Sequence, residues 1–264
     1  MFEYLRLQMN ILLKNFDSHI SSLPYRTKGM FVNKKSNFTL VDSGLDSDTF
    51  NIIHITNGHH ISEFELQAAV HHFEDKGRKY TIWIAKNQLK EKVKSILAIQ
   101  GLQSLDSTPG MKMELKNYLP EINPLAKDIR LVTTAEDLKS YVKIIADLRS
   151  PSDENVADYY HQVSRLILEK QLPIHYVLYY HDDTPVAGVE MCITKDTIGI
   201  YGLATVKSYR KQGIGTALMN YSLAFGKSKN LVNAVLQSSK PGNGIYKKLG
   251  FKIMTEYFEY GQQS

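Results

Sequence analysis

The stretch Leu203-Ala-Thr-Val-Lys-Ser-Tyr-Arg-Lys-Gln-Gly-Ile-Gly-Thr-Ala217 decides the reading of this chain. It begins as a strand, turns through a short polar loop, and opens a helix at two glycines one residue apart. The expected helix, Gly213–Phe225, places Ile214, Ala217, Leu218, Tyr221, Ala224 and Phe225 at helical spacing. Such a turn presents successive backbone N–H groups at the positive end of a helix, which is what a phosphate needs. Gly213 and Gly215 have no Cβ to obstruct close approach to that backbone, and Arg210 and Lys211 add charge at the rim. A dinucleotide fingerprint is excluded, because its third glycine would fall at Leu218. The spacer and Gly-Lys-Ser/Thr of a P-loop are missing as well.

The surrounding pattern is that of an α/β domain. Ile129 to Val132 reads as a strand, and Thr133-Thr-Ala-Glu136 as a capping box in which a hydroxyl and a carboxylate satisfy orphan amides. One helix follows with Leu138, Tyr141, Val142 and Ile145 on a face, and a second runs from Glu154 to Glu169. Strands are expected over His175–Tyr180, Val186–Ile193 and Ile198–Val206, with turns at Asp182-Asp-Thr-Pro185 and Thr194-Lys-Asp196. After the glycine-opened helix come a strand at Val232–Gln237, a short helix at Ile245–Leu249 and a last strand or hairpin at Phe251–Tyr260. Strand, two helices, three strands, then alternating helix and strand make an α/β sandwich around a mixed sheet.

Two prolines in five residues, Pro120 and Pro124, mark Asn117–Lys127 as the boundary between two domains, 1–125 and 126–264. In the first half, Phe38–Val41, Phe50–Ile55, Tyr80–Ala85 and Met111–Leu115 read as strands. Ser62-Glu-Phe-Glu65 caps a helix to Phe73, and Leu89–Ile99 suggests another. The spacing loosely echoes the second half, as a divergent duplicate would.

Arg210-Lys-Gln-Gly-Ile-Gly215 fits the pattern Arg/Gln-x-x-Gly-x-Gly/Ala, and Tyr246-Lys-Lys-Leu-Gly-Phe251 completes it downstream. Together these resemble the acetyl-CoA-binding region of the GNAT superfamily of N-acetyltransferases, over about Ile129 to Tyr260. The resemblance implies an acyl-CoA N-acyltransferase fold: a mixed, mostly antiparallel central sheet flanked by helices. It implies that main-chain amides of Gln212, Gly213, Ile214, Gly215 and Thr216 wrap the pyrophosphate. The backbone of Leu203, Ala204, Thr205 and Val206 would bind the pantetheine arm in a V-shaped gap. Asn243 would lie near the thiol end, and Tyr246 would protonate the departing thiolate. Aminolysis of a thioester also needs a neutral amine. Glu190, which alternates away from Val189 and Met191, is the candidate to take the proton, with Tyr201 beside it. The non-functional alternatives are an ordinary tight turn for the glycines, a packed core tyrosine for Tyr246 and a solvated strand carboxylate for Glu190.

Composition narrows the class. The chain has 264 residues with 32 basic and 27 acidic side chains, a net charge of +5. The charges split 15 and 13 up to Leu125, then 17 and 14, with no basic run beyond two residues. A nucleic-acid binder would concentrate such charge. No apolar window reaches the ~18 residues of a membrane span, and the N-terminus lacks a secretory pattern. The single cysteine, Cys192, rules out an internal disulfide. The pairs His59-His60 and His71-His72 lack metal-ligand spacing, so no metal is expected. The resulting expectation is a cytoplasmic, acetyl-CoA-dependent N-acetyltransferase acting on a small-molecule or peptide amine, with no nucleic acid or membrane partner. The first half has no Gly-x-Gly and should not bind the cofactor in the same way. Two alternatives remain: a non-catalytic acyl-CoA-binding or regulatory module, and a transferase using a charged RNA donor.

Overall fold

A computed structural model describes residues 2–121, 123–148, 151–169, 172–239 and 242–262, with side chains from residue 10 onward. The chain divides into two compact units. Unit 1 comprises Met1–Met111, Gln237–Lys240 and Ile253–Ser264; unit 2 comprises Lys112–Leu236 and Pro241–Lys252.

Unit 1 starts with a helix that the sequence reading leaves unassigned, α1 (Phe2–Ser21), whose Leu12, Leu13, Phe16 and Ile20 are buried. Strands β1 (Phe31–Lys34), β2 (Phe38–Asp42) and β3 (Ile52–Ile55) form an antiparallel run. Helix α2 (Glu63–Glu74) then crosses to β4 (Thr81–Ala85), which lies parallel to β3. Helix α3 (Glu91–Ile99) leads to β5 (Gln103–Glu114). That strand starts well before the expected Met111, because Gln103-Ser-Leu-Asp-Ser-Thr-Pro-Gly110 is too polar to read as one. The last strand of the chain, β11 (Lys252–Gly261), pairs antiparallel with β4, as in Tyr257 opposite Ala85. Both faces of this sheet are covered, so β2 and β3 are wholly buried and the apolar pattern is continuous rather than alternating. The core joins Ile53, Ile55, Leu66, Val70, Phe73, Ile82, Ile84 and Leu97, each at 0% exposure and each worth ~1.5–3 kcal/mol of burial.

Unit 2 contains β6 (Ile129–Leu131), α4 (Ala135–Ala146), α5 (Glu154–Leu168), β7 (Ile174–His181), β8 (Thr184–Thr194) and β9 (Thr197–Thr205). Then come α6 (Ile214–Ser228), β10 (Asn233–Gln237) and α7 (Asn243–Lys248). The strand order is β10-β9-β8-β7-β6, antiparallel except for the parallel β10–β9 pair. The cap of α4 sits one residue later than the sequence suggests: the Thr134 hydroxyl accepts from the Asp137 amide at 3.1 Å. The β7–β8 hairpin turns on Asp182 and Asp183 alone, both at positive φ (47° and 59°), a conformation aspartate tolerates. Successive residues of β7 face opposite helix layers. His175 meets Phe225 of α6 at 5.4 Å, whereas Tyr176 meets Tyr141 of α4 at 4.9 Å.

The units repeat one order of elements. Each has three antiparallel strands, a crossover helix, a strand parallel to the third, and a further helix. The echo in the sequence is therefore a repeat of topology.

Candidate active site

The site of unit 2 begins with a defect in β9. Gly188 pairs with Ala204 and Glu190 with Tyr201, so β9 places Gly202 and Leu203 opposite the single residue Val189. This is a β-bulge, and Gly202 accommodates it at φ +55°. A Cβ on Gly202 would stand 2.5 Å from the Tyr141 hydroxyl, and one on Gly188 would stand 2.7 Å from the same ring. One tyrosine thus depends on two glycines. Already before the bulge β9 leaves its parallel neighbour: β10 pairs with Thr197, Ile198 and Gly199 and with no later residue. Leu203, Ala204 and Thr205 therefore line a V-shaped opening, with Ala204 buried and the other two half-buried. Val206 is exposed at its end.

The loop after β9 is held by its own side chains. Arg210 Nε donates to the Thr205 carbonyl at 2.9 Å, and Gln212 Nε2 donates to that of Ser208 at 3.3 Å. Lys211 and Gly213 both take positive φ, at 64° and 82°. No side chain caps α6, so the amides of Ile214, Gly215 and Thr216 have no partner within the helix. Ile214 buries its side chain and anchors this end, while Gly215 and Thr216 are half-buried. Arg210 and Lys211 remain exposed beside these donors. Helix α7 lies against this turn, with Ile245 Cδ1 3.8 Å from the Cβ that Gly215 lacks. Asn243, at the start of α7, has a buried Oδ1 with no hydrogen-bond partner. Tyr246 is 6% exposed and its ring lies over Gly242. Burial pushes its hydroxyl up to about 12, so the phenol keeps its proton at neutral pH. A V-shaped opening, uncapped amides at a helix start, two exposed cations and an orphaned amide oxygen suit a long phosphorylated ligand with amide groups.

Glu190 occupies the other side of this region and is not the solvated strand carboxylate of the alternative reading. It is 6% exposed, and the Tyr160 hydroxyl donates to its Oε2 at 3.4 Å. In register it lies between Tyr176 and Tyr201. Tyr141, Tyr159, Tyr160 and Tyr176 surround it, and burial first and its charge second raise the hydroxyls of Tyr141, Tyr159 and Tyr176 well above the usual phenol range. Burial does the same for Tyr160, where the neighbouring tyrosines Tyr176 and Tyr141 weigh ahead of Glu190.

The sequence reading assigns no individual role at the site to Gly202, Gly188 or the four tyrosines. An isolated glycine inside a strand is the available signal for the bulge. The tyrosines come from separate elements and look like ordinary core residues until the chain folds. Among the described residues no group of three or more His, Cys, Asp or Glu side chains gathers as a metal site. No described helix is long and apolar enough to cross a membrane.

The equivalent place in unit 1 is built differently. Strand β3 stays paired with β4 over all of Ile52–Ile55, so no opening forms. The start of α2 is closed by a complete capping box, with the Ser62 hydroxyl on the Glu65 amide at 3.1 Å and Glu65 Oε2 on the Ser62 amide at 2.8 Å. Hydrogen bonds from Ser62 hold the Glu65 carboxyl below its usual range, which keeps a negative charge where a phosphate would sit.

A mixed sheet with a bulged, splayed third strand and a glycine-opened helix defines the acyl-CoA N-acyltransferase class of fold. Residues 141–251 match the model of the acetyltransferase (GNAT) family, and this part of the chain is a GNAT domain. The chain is 26% identical over 132 residues to YyaT, an uncharacterized protein of Bacillus subtilis (strain 168), across 50% of this chain and 86% of that one. A GCN5-related N-acetyltransferase from Kribbella flavida shares the fold at TM-score 0.71 and 17% identity, over 96% of each chain. A tandem GNAT protein from the clavulanic acid biosynthesis pathway does so at TM-score 0.59 and 11% identity, over 89% of this chain and 83% of that one. The fold likeness thus runs through both units, consistent with a divergent GNAT-like first half.

Proposed function

We propose that this protein transfers an acetyl group from acetyl-CoA to a primary amine, and that unit 2 alone binds the cofactor. The observation that carries the reading is the coincidence, on one turn, of the β9–β10 opening and the uncapped start of α6. Amides from Gln212 to Thr216 would hold the pyrophosphate, with Arg210 and Lys211 adding long-range attraction. Backbone from Leu203 to Val206 would pair with the pantetheine amides as an added strand, and Asn243 Oδ1 would accept from one of them. The bound cofactor supplies an acetyl group activated as a thioester. Tyr246, protonated at working pH, would give its proton to the leaving sulfur. The acceptor amine must lose a proton before it can attack, since an ammonium with pKa near ~10.4 is almost wholly protonated at neutral pH. Glu190 would be the carboxylate that receives it. The reading includes a small-molecule or peptide acceptor, a cytoplasmic setting, and no metal, nucleic-acid or membrane partner.

Thermal melting with added acetyl-CoA tests the cofactor claim. A ligand at a hundredfold excess over Kd adds ~2.7 kcal/mol to stability. The melting temperature of the full chain should climb accordingly, and Gly213→Val should abolish the climb, because φ +82° cannot accept a β-branched residue without moving the loop. An unchanged climb in that variant removes the loop from the site.

A further inference from the structure

The crossover helix of unit 1 leaves part of the sheet beneath it uncovered. Helix α2 buries Leu66, Val70 and Phe73, and a groove of about 330 Å³ remains between it and β1, the outermost strand. Phe38 and Leu40 of β2 form the buried floor, and on the helix wall the small Ala68 and Ala69 leave the space. Strand and helix run past each other, so Phe31 meets His72 at one end and Lys35 faces Glu65 at the other. Glu65 and His72 are seven residues apart on α2, which makes the groove ~10 Å long at ~1.5 Å per residue.

The two ends differ in chemistry. At the inner end the rings of Phe31 and His72 stack at 5.2 Å and 18°, and His72 Nε2 donates to Asp42 Oδ2 at 2.8 Å. The mouth carries opposite charges on its two walls. The Lys35 amide donates to the Phe38 carbonyl at 2.8 Å, which fixes the residue at the end of β1 and leaves its side chain exposed. Among the described residues Lys35 forms no ion pair with a carboxylate. Glu65 Oε2 is committed to the capping box, where it accepts from the Ser62 amide and hydroxyl at 2.8 Å each. Oε1 accepts from Asn37 Nδ2 alone, at 3.2 Å, and so has acceptor capacity to spare. Phe31 is 47% exposed and Phe64, at the rim, 79%, so the walls carry apolar surface that is not covered within the chain.

We propose that this groove binds a free aromatic amino acid, with the ring against Phe31, Phe38 and His72, the carboxylate on Lys35 Nζ and the ammonium on Glu65 Oε1. A cavity of ~150 Å³ holds a benzene ring, so a groove about twice that size has room for a phenyl or indole ring with its backbone carbons. A zwitterion satisfies both charges of the mouth at once, whereas a fatty acid or a simple amine leaves one of them unanswered. The site lies wholly within the unit that lacks a phosphate-binding turn, and it does not depend on the transferase reading.

The test uses the full chain, by equilibrium dialysis with radiolabelled L-phenylalanine and by melting with L-phenylalanine, L-tryptophan, 3-phenylpropionate and phenethylamine. One saturable site per chain is expected. Removing either charge from the ligand should weaken binding about fivefold, the scale of an exposed ion pair. Lys35→Met should weaken L-phenylalanine by a similar factor and should not weaken phenethylamine, which has no carboxylate. Glu65→Gln keeps the capping box and should weaken L-phenylalanine but not 3-phenylpropionate. Ala68→Leu places a good helix former at an exposed position and fills the groove. It should abolish binding without lowering the melting temperature of the ligand-free protein. Wild-type protein with no saturable binding, or Ala68→Leu that binds as wild type does, overturns the site. Equal binding of L-phenylalanine and either singly charged analogue, or unaltered binding in both charge variants, overturns the amino acid as its ligand.

Discussion

Gly202→Ala puts a single methyl group where the fold leaves no space for one. Two costs add. Holding a non-glycine residue at φ +55° costs ~1–2 kcal/mol. The new Cβ also stands 2.5 Å from the hydroxyl of Tyr141, a fully buried ring that Gly188 confines on another side. Overpacking of that kind costs ~1–3 kcal/mol. A total of about 3 kcal/mol lowers the melting temperature of a protein this size by roughly 6–12 °C. The steric part is separable, since the Tyr141 Cζ is 3.7 Å from the same Cβ, an ordinary contact. Alanine at 202 should therefore cost only the backbone term in a Tyr141→Phe background, giving a coupling of ~1–2 kcal/mol in a double-mutant cycle. Urea or thermal unfolding of the four proteins measures it. Gly244→Ala, in helix α7 with nothing within 4 Å of its Cβ, is the control and should stabilise by ~0.4–1 kcal/mol in both backgrounds. Equal costs in the wild-type and Tyr141→Phe backgrounds would refute the steric part of this account.

Two further outcomes follow from the buried acids. Tyr246→Phe should keep the acetyl-CoA melting shift while lowering kcat ~10²–10⁴-fold, since the hydroxyl is needed only as sulfur leaves; an unchanged kcat would assign that proton to water. In unit 1, burial and then Asp106 and Asp48 raise the Glu259 carboxyl to about 7. A folded-state value above the unfolded one means stability is full below about pH 4 and is lost as pH rises through 7. Glu259→Gln should thus be more stable than wild type by about 2 kcal/mol at pH 8 and equal to it at pH 4, read by urea midpoints; a gain at pH 4 instead would refute the sign.

The sequence carried the second half well because its cues are local. Alternation in β7 to β9, a threonine cap before α4 and two glycines at the start of α6 each lie within a few residues of what they specify. The first half was harder to read for physical reasons. Strands buried on both faces, such as Ile52–Ile55, show as apolar runs with no period, β1 (Phe31–Lys34) is exposed at both ends and goes unread, and β5 is polar along most of its exposed length. Helix α1 goes unread although its buried Leu12, Leu13, Phe16 and Ile20 keep helical spacing. Of the candidate site, the phosphate-loop residues follow from motif and context. The tyrosine shell does not, because Tyr141, Tyr160 and Tyr176 meet only through tertiary packing of α4, α5 and β7.

The interleaving of the two units also limits what genetics can do with them. The backbone passes from one unit to the other four times, at 111/112, 236/237, 240/241 and 252/253. No single scission, whether by protease, frameshift or gene splitting, yields one intact half. A fragment beginning at Ala126 would end in β11 and lack both of its strand neighbours, β4 and β5. That fragment would expose an unpaired strand edge, a template for self-association. A descendant of this gene that kept only one continuous stretch of it would therefore lack a segment of whichever unit it kept.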